Sequence, residues 1–236
     1  MSSPFILVSP ATRGLSLALT RHVLRTTDLP IYATHRSEKA EEMKKHILAP
    51  LGEIDGDRLR LIPLNLASEG SIASASQSLA DALPQGNQSY LHMGFFTGGI
   101  LHPERQPADL DAAELQHTFQ INVISHLLMI KHFSRFLPTA KQGAALTTPC
   151  KWVHVSARVG SITDNKNGGW YSYRASKAAL NQVIKTFDLQ LQMKKTPEDK
   201  LFDPEYAAKC LVDVVDGLSA EHRGRVWDWA GKEVPA

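Results

Sequence analysis

Five short apolar runs, each followed by an amphipathic stretch, set the strongest limit on how this chain can fold. Residues 5–8 precede 13–25, 31–34 precede 38–51, and 59–64 precede 71–83; residues 90–93 then precede 111–137, and 152–155 precede 171–193. Brief continuous apolar runs suit strands buried on both faces, and the longer periodic stretches suit helices. Alternation of the two predicts an α/β fold, a doubly wound parallel sheet with helices on both sides. With 236 residues, 43% hydrophobic and 21% charged, one domain spanning 1–236 accommodates the whole pattern around a single core.

Composition removes several function classes. Net charge is only +2, and the longest basic runs are the pairs Lys44-Lys45 and Lys194-Lys195, so neither a nucleic-acid footprint nor a membrane patch is expected. Cys150 and Cys210 lie far apart without metal-ligand spacing, and the ten histidines are scattered, so no metal site is expected. No apolar stretch is long enough to span a bilayer. The first residues run straight into a strand rather than reading as a signal peptide, and a reduced, cytoplasmic protein is the expectation.

The chemistry concentrates in Gly168-Gly169-Trp170-Tyr171-Ser172-Tyr173-Arg174-Ala175-Ser176-Lys177-Ala178-Ala179-Leu180-Asn181. Residues four apart on a helix share a face, so Lys177 sits beside Tyr173. A phenol ionises near pH 10, too high for useful proton transfer, but an adjacent ammonium favours the phenolate. Tyr171 is a competing phenol whose spacing takes it off the lysine's face. This wording resembles the active-site segment of the short-chain dehydrogenase/reductase family, in its C-factor-like, carbonyl-reductase-like branch. The resemblance implies a Rossmann-type, NAD(P)-binding domain in which Tyr173 is the general acid. Lys177 lowers its pKa and holds the nicotinamide ribose, and Asn122 on an earlier helix anchors a proton-relay water. A mid-helix Asn also costs helix propensity, which itself hints at a role.

A cofactor site is expected along the strand ends. Ser9-Pro10-Ala11-Thr12-Arg13-Gly14-Leu15-Ser16 stands where relatives carry a glycine-rich phosphate loop, leaving Ser9, Arg13, Gly14 and Leu15 as candidate ligands at a helix start. Pro10 removes a backbone donor there, and Ser16 adds a side chain where the helix should press on the sheet. After strand two comes Thr34-His35-Arg36 with no acid, so His35 and Arg36 are read as accepting a 2′-phosphate, which selects NADP(H). Asn65 and Leu66 take the adenine position implied by the resemblance, and Gly94, in His92-Met93-Gly94-Phe95, takes the place of the family's Asn-Asn-Ala-Gly. Phe95 to Gly99 is read as an apolar loop on the core.

The family's catalytic serine position holds Ala157, and either Ser156 or Ser161 could substitute, Ser156 being preferred. After the Tyr-Lys helix the rhythm breaks: residues 193–218 contain no sixth strand and no Pro-Gly loop, an internal deletion that leaves the strand at 225–229 to pair with the fifth or stay loose. The sequence leaves open whether this is a natural short form. The expected activity is NADPH-dependent reduction of an aldehyde or ketone to an alcohol. The alternative is a catalytically impaired relative serving as a binding or scaffold protein. The expected partner is a small carbonyl compound, and the resemblance implies a homodimer or homotetramer.

Overall fold

A computed structural model describes residues 2–36, 39–84, 88–192, 210, 212–222 and 224–235. Its first strand, β1 (Ser2–Ser9), lies at the centre of a five-stranded sheet. Phe5 and Leu7 project into one apolar cluster and Ile6 and Val8 into another on the opposite face, which is why this strand is apolar without alternation. Helices α1 (Gly14–Thr26) and α2 (Ala40–Leu48) cover the second cluster, packing over β2 (Ile31–His35) and β3 (Leu59–Pro63). Helix α3 (Glu69–Ala82), capped by Ser68, covers the first.

The chain then returns to the other side of β1. Strand β4 (Gln88–Phe96) pairs with β1, and β5 (Lys151–His154) pairs with β4, giving the parallel order β3-β2-β1-β4-β5. Between them run α4 (Ala112–Phe119), a π-turn at Gln120–Ile124, α5 (Ser125–Phe133) and the short α6 (Ala140–Ala144). Asp111 caps α4 by accepting from the Ala113 and Glu114 N–H groups. The long helix α7 (Tyr171–Gln192) follows β5. Reversal of strand order between β1 and β4 opens a crevice at the carboxyl ends of the strands, the position where such sheets bind ligands.

Two expectations change. Strand β4 continues past Met93 to Phe96, so Gly94 is an interior strand residue opposite Leu7. Its register skips between Phe5–Leu91 and Ile6–Met93, leaving His92 as the extra residue of a bulge. The last strand neither joins β5 nor stays unpaired: β6 (Val226–Trp227) and β7 (Glu233–Val234) form their own antiparallel ribbon. The expected deletion concerns residues 193–209, which lie outside the described residues; residues 212–216 are helical, as read.

Candidate active site

The crevice is a cleft of about 600 Å³ lined by the loop after β1, the ends of β2 and β3, and the loop after β4. Gly14 opens α1 with φ +53°, a left-handed conformation that glycine adopts without penalty. No side-chain hydrogen bond caps α1 among the described residues, so its first N–H groups face the cleft unclaimed. Arg13 and Arg36 line the same cleft, and neither has an ion-pair partner among the described residues. The far wall is Thr97-Gly98-Gly99-Ile100. A Cβ at Gly98 would fall 2.6 Å from Leu66 Cδ1, so this wall packs directly on the leucine that follows β3. Ser16, expected to intrude, instead shares a 2.7 Å hydrogen bond with Thr97 and ties α1 to β4.

Across Gly99 from the cleft stands the α7 machinery. Lys177 is 3% exposed, and its Nζ donates to the Val155 carbonyl at 3.0 Å, 5.7 Å from the Tyr173 ring centre. Burial pushes the lysine's pKa below its ordinary value. Gly99 lies close enough that an added Cβ would sit 3.3 Å from Nζ and 3.7 Å from Asn122 Oδ1, so the loop after β4 meets both groups. Asn122 is fully buried in the π-turn. Its Oδ1 accepts from Ile100 N–H at 2.8 Å, and its Nδ2 donates to Ile100 O and Ser176 Oγ, each at 2.9 Å. Ser176 Oγ in turn donates to Tyr173 O. One amide thereby locks the cleft wall to the turn of α7 that carries the Tyr-Lys pair. Gly160, in a turn after β5, packs against that turn: a Cβ there would meet the Lys177 backbone carbon at 2.8 Å.

Beneath the wall runs a chain of neutral side chains. Trp152 Nε1 can only donate, and it donates to His154 Nε2 at 2.7 Å, which places the His154 proton on Nδ1. That proton goes to His126 Nδ1 at 2.7 Å, and His126 Nε2 then donates to the Gly98 carbonyl at 2.9 Å. Every bond points toward the cleft, and an extra proton on either ring would set two donors face to face. Desolvation lowers the His126 pKa to about 4, with the Lys177 charge adding to the effect. Desolvation, then the His126 and Lys177 charges, lowers that of His154 to about 3.

Of the residues singled out from the sequence, Arg13, Gly14, Leu15, Arg36 and Leu66 line the cleft, and Asn122, Tyr173 and Lys177 come together beside it. Ser9 lies behind the loop, its hydroxyl accepting from Thr34. His35 is buried, and neither ring nitrogen has a hydrogen-bond partner among the described residues. Asn65 turns its amide oxygen to its own loop at Ala67 N–H, and Gly94 packs among Leu91 and Phe96. Ser156 donates to Asn181 at 2.6 Å, and Ser161 Oγ accepts from Asp164 N–H. Thr97, Gly98 and Gly99 form the wall, although the sequence reads them as part of an apolar loop; the Gly-Gly pair is the signal that marks them. Nothing in the spacing of His126, His154 or Ser176 marks them out.

Fold and site together define a class, the Rossmann-type oxidoreductases. Residues 4–196 match the family described as short chain dehydrogenase, and the chain belongs to that family. It is 34% identical to C-signal of Myxococcus xanthus over 143 residues, 54% of this chain and 81% of that protein. In fold it is similar to the NADPH-bound carbonyl reductase from chicken fatty liver, with TM-score 0.65, 24% identity and all of both chains covered. It is likewise similar to the carbonyl reductase Sniffer of D. melanogaster, with TM-score 0.69, 19% identity and all of both chains covered. The family is one of nicotinamide-dependent oxidoreductases acting on small molecules. Among the described residues, no helix is long and apolar enough to cross a membrane.

Proposed function

We propose that this chain is an NADPH-dependent reductase that converts an aldehyde or ketone to its alcohol, with Tyr173 as the proton donor. The observation that carries the reading is the buried Lys177 ammonium, held between the Val155 carbonyl and the Tyr173 ring across Gly99 from a cleft that presents two guanidinium groups with no ion-pair partner among the described residues. The cleft fits a dinucleotide: the uncapped start of α1 suits a pyrophosphate, and Gly99 brings the far wall up against Lys177 and Asn122. Arg36 would meet a 2′-phosphate after β2, with Arg13 beside it.

When bound, the reduced nicotinamide supplies the hydride. Tyr173 then donates its phenolic proton to the developing alkoxide, and the Lys177 charge stabilises the phenolate left behind. Asn122 holds Ile100 and α7 in register, so the pair stays fixed as charge moves. In this reading Ser156 orients the substrate oxygen, which requires its hydroxyl to leave Asn181. Assembly of two or four copies through the helices carrying Asn122 and Tyr173 belongs to the same proposal, with Ile124 and Leu127 exposed beside Asn122.

Titration of the folded protein with NADPH and with NADH, read by energy transfer from its four tryptophans to the reduced nicotinamide, tests the cofactor assignment. Selective, saturable NADPH binding is expected. Equal affinity for the two would remove the role given to Arg36, and absence of binding would remove the reductase reading.

A further inference from the structure

The approach to Tyr173 is built from three consecutive left-handed residues, Gly168 (φ +63°), Gly169 (φ +66°) and Trp170 (φ +51°). Two are glycines, for which this conformation is free, but Trp170 is the only non-glycine at positive φ among the described residues. A bulky residue is strained there, and such strain persists where the surroundings enforce it. The enforcement is visible. Trp170 N–H donates to the Glu104 carbonyl at 2.6 Å, Trp170 O accepts from Arg174 N–H at 2.8 Å, and the Arg174 guanidinium grips the Gly169 carbonyl at 3.0 Å.

Burial does not account for the tryptophan. Its side chain leaves the residue 39% exposed, so packing alone gives no reason to prefer it over a third glycine. What the strained turn achieves is placement: the indole stands edge-to-face with the Tyr173 ring, centres 6.2 Å apart. Standing three residues before Tyr173 at the start of α7, it offers a flat apolar surface next to the phenol.

We propose that the Trp170 indole is the surface on which the body of the substrate rests, and that the preferred substrates are carbonyl compounds bearing an aromatic or extended apolar group next to the carbonyl. This rests on the reductase reading. The indole packs against the substrate's apolar body while Tyr173 meets its oxygen. Small aliphatic carbonyls reach Tyr173 without using the indole.

The test compares wild type with Trp170→Gly and Trp170→Phe, measuring kcat and KM for benzaldehyde and for propanal with NADPH, NADPH affinity by calorimetry, and the thermal midpoint. For Trp170→Gly, kcat/KM for benzaldehyde should fall about tenfold, mainly through KM. Propanal should change less than about twofold. NADPH affinity should hold, and the midpoint should stay level or rise because glycine relieves the turn. Trp170→Phe should keep most of the preference for benzaldehyde. Parallel losses for both aldehydes, or no loss for either, would overturn the proposal while leaving the reductase reading intact. A wild type that binds NADPH yet reduces neither aldehyde would overturn the reductase reading and this proposal with it.

Discussion

Acidification should unfold this protein earlier than its carboxylates require, because of the His126–His154 pair. Both imidazoles are neutral in the folded state, with pKa values lowered to about 4 and about 3, whereas in the unfolded chain they titrate near 6.5. Below pH 6.5 the unfolded state takes up protons that the folded state refuses, so stability is full above that pH and falls as pH drops. Each histidine contributes a slope of about 1.36 kcal/mol per pH unit, so by pH 5 each has removed about 2 kcal/mol. The pair together approaches 4 kcal/mol, a large share of the roughly 5–15 kcal/mol typical of a domain. Urea unfolding at pH 7, 6 and 5 measures it, with the His126→Leu/His154→Leu double variant as reference. That variant removes both titrating rings and lets the other eight histidines act as an internal control. Wild type should lose about 3–4 kcal/mol more than the double variant between pH 7 and pH 5. Equal slopes would show that the pair takes up protons in the folded state as readily as in the unfolded chain, and would refute the one-way proton arrangement drawn from Trp152 to Gly98.

Three further outcomes are expected. Tyr173→Phe should lower kcat by about 10²–10⁴ while leaving NADPH affinity near wild type; an active variant would remove Tyr173 from the chemistry. Arg36→Ala should weaken NADPH at least about tenfold and leave NADH unchanged, through loss of one charge-assisted contact; unchanged NADPH binding would exclude a phosphate contact. Gly160→Ala should cost about 1–3 kcal/mol, because the new methyl meets Lys177 backbone rather than a side chain that can rotate away. A melting temperature within a degree of wild type would mean that α7 stands further from the turn.

Strand positions were legible because β1 carries an unbroken apolar run, Phe5 to Val8, between two helical layers and β2 is buried at every position, and α7 because its face carries the Tyr-Lys pair. The end of β4 was not. Gly94 reads as a loop residue in sequence, yet it is small because Leu91 and Phe96 side chains already occupy the space a Cβ would take, at 3.0 Å each. Misplacing that end hid the real wall at Thr97, Gly98 and Gly99. Asn122 was legible as a candidate, but its partners Ile100 and Ser176 lie 22 and 54 residues away and follow no local spacing. The same holds for His126 and His154, 28 residues apart and joined only by the fold. Ser156 follows the end of β5 at His154, and its engagement with Asn181 depends on how α7 packs.

The π-turn at Gln120–Ile124 carries a lesson about insertions and deletions. A π-turn holds one residue more than the α-turn it replaces, and each α-helical residue advances the chain by about 100°. Helices α4 and α5 are therefore out of phase by one position, which lets Thr118 and His126 both face inward from what would otherwise be a single rod. Losing one residue here would lengthen no loop and break no strand. It would turn the helix into a regular spiral in which Thr118 and His126 stand about 20° apart round the axis, so both would still face inward and only the turn at Gln120–Ile124 would be remade. The helix can therefore gain or lose one residue at this point without rotating the faces on either side, and what such a change would disturb is the turn itself and Asn122 within it.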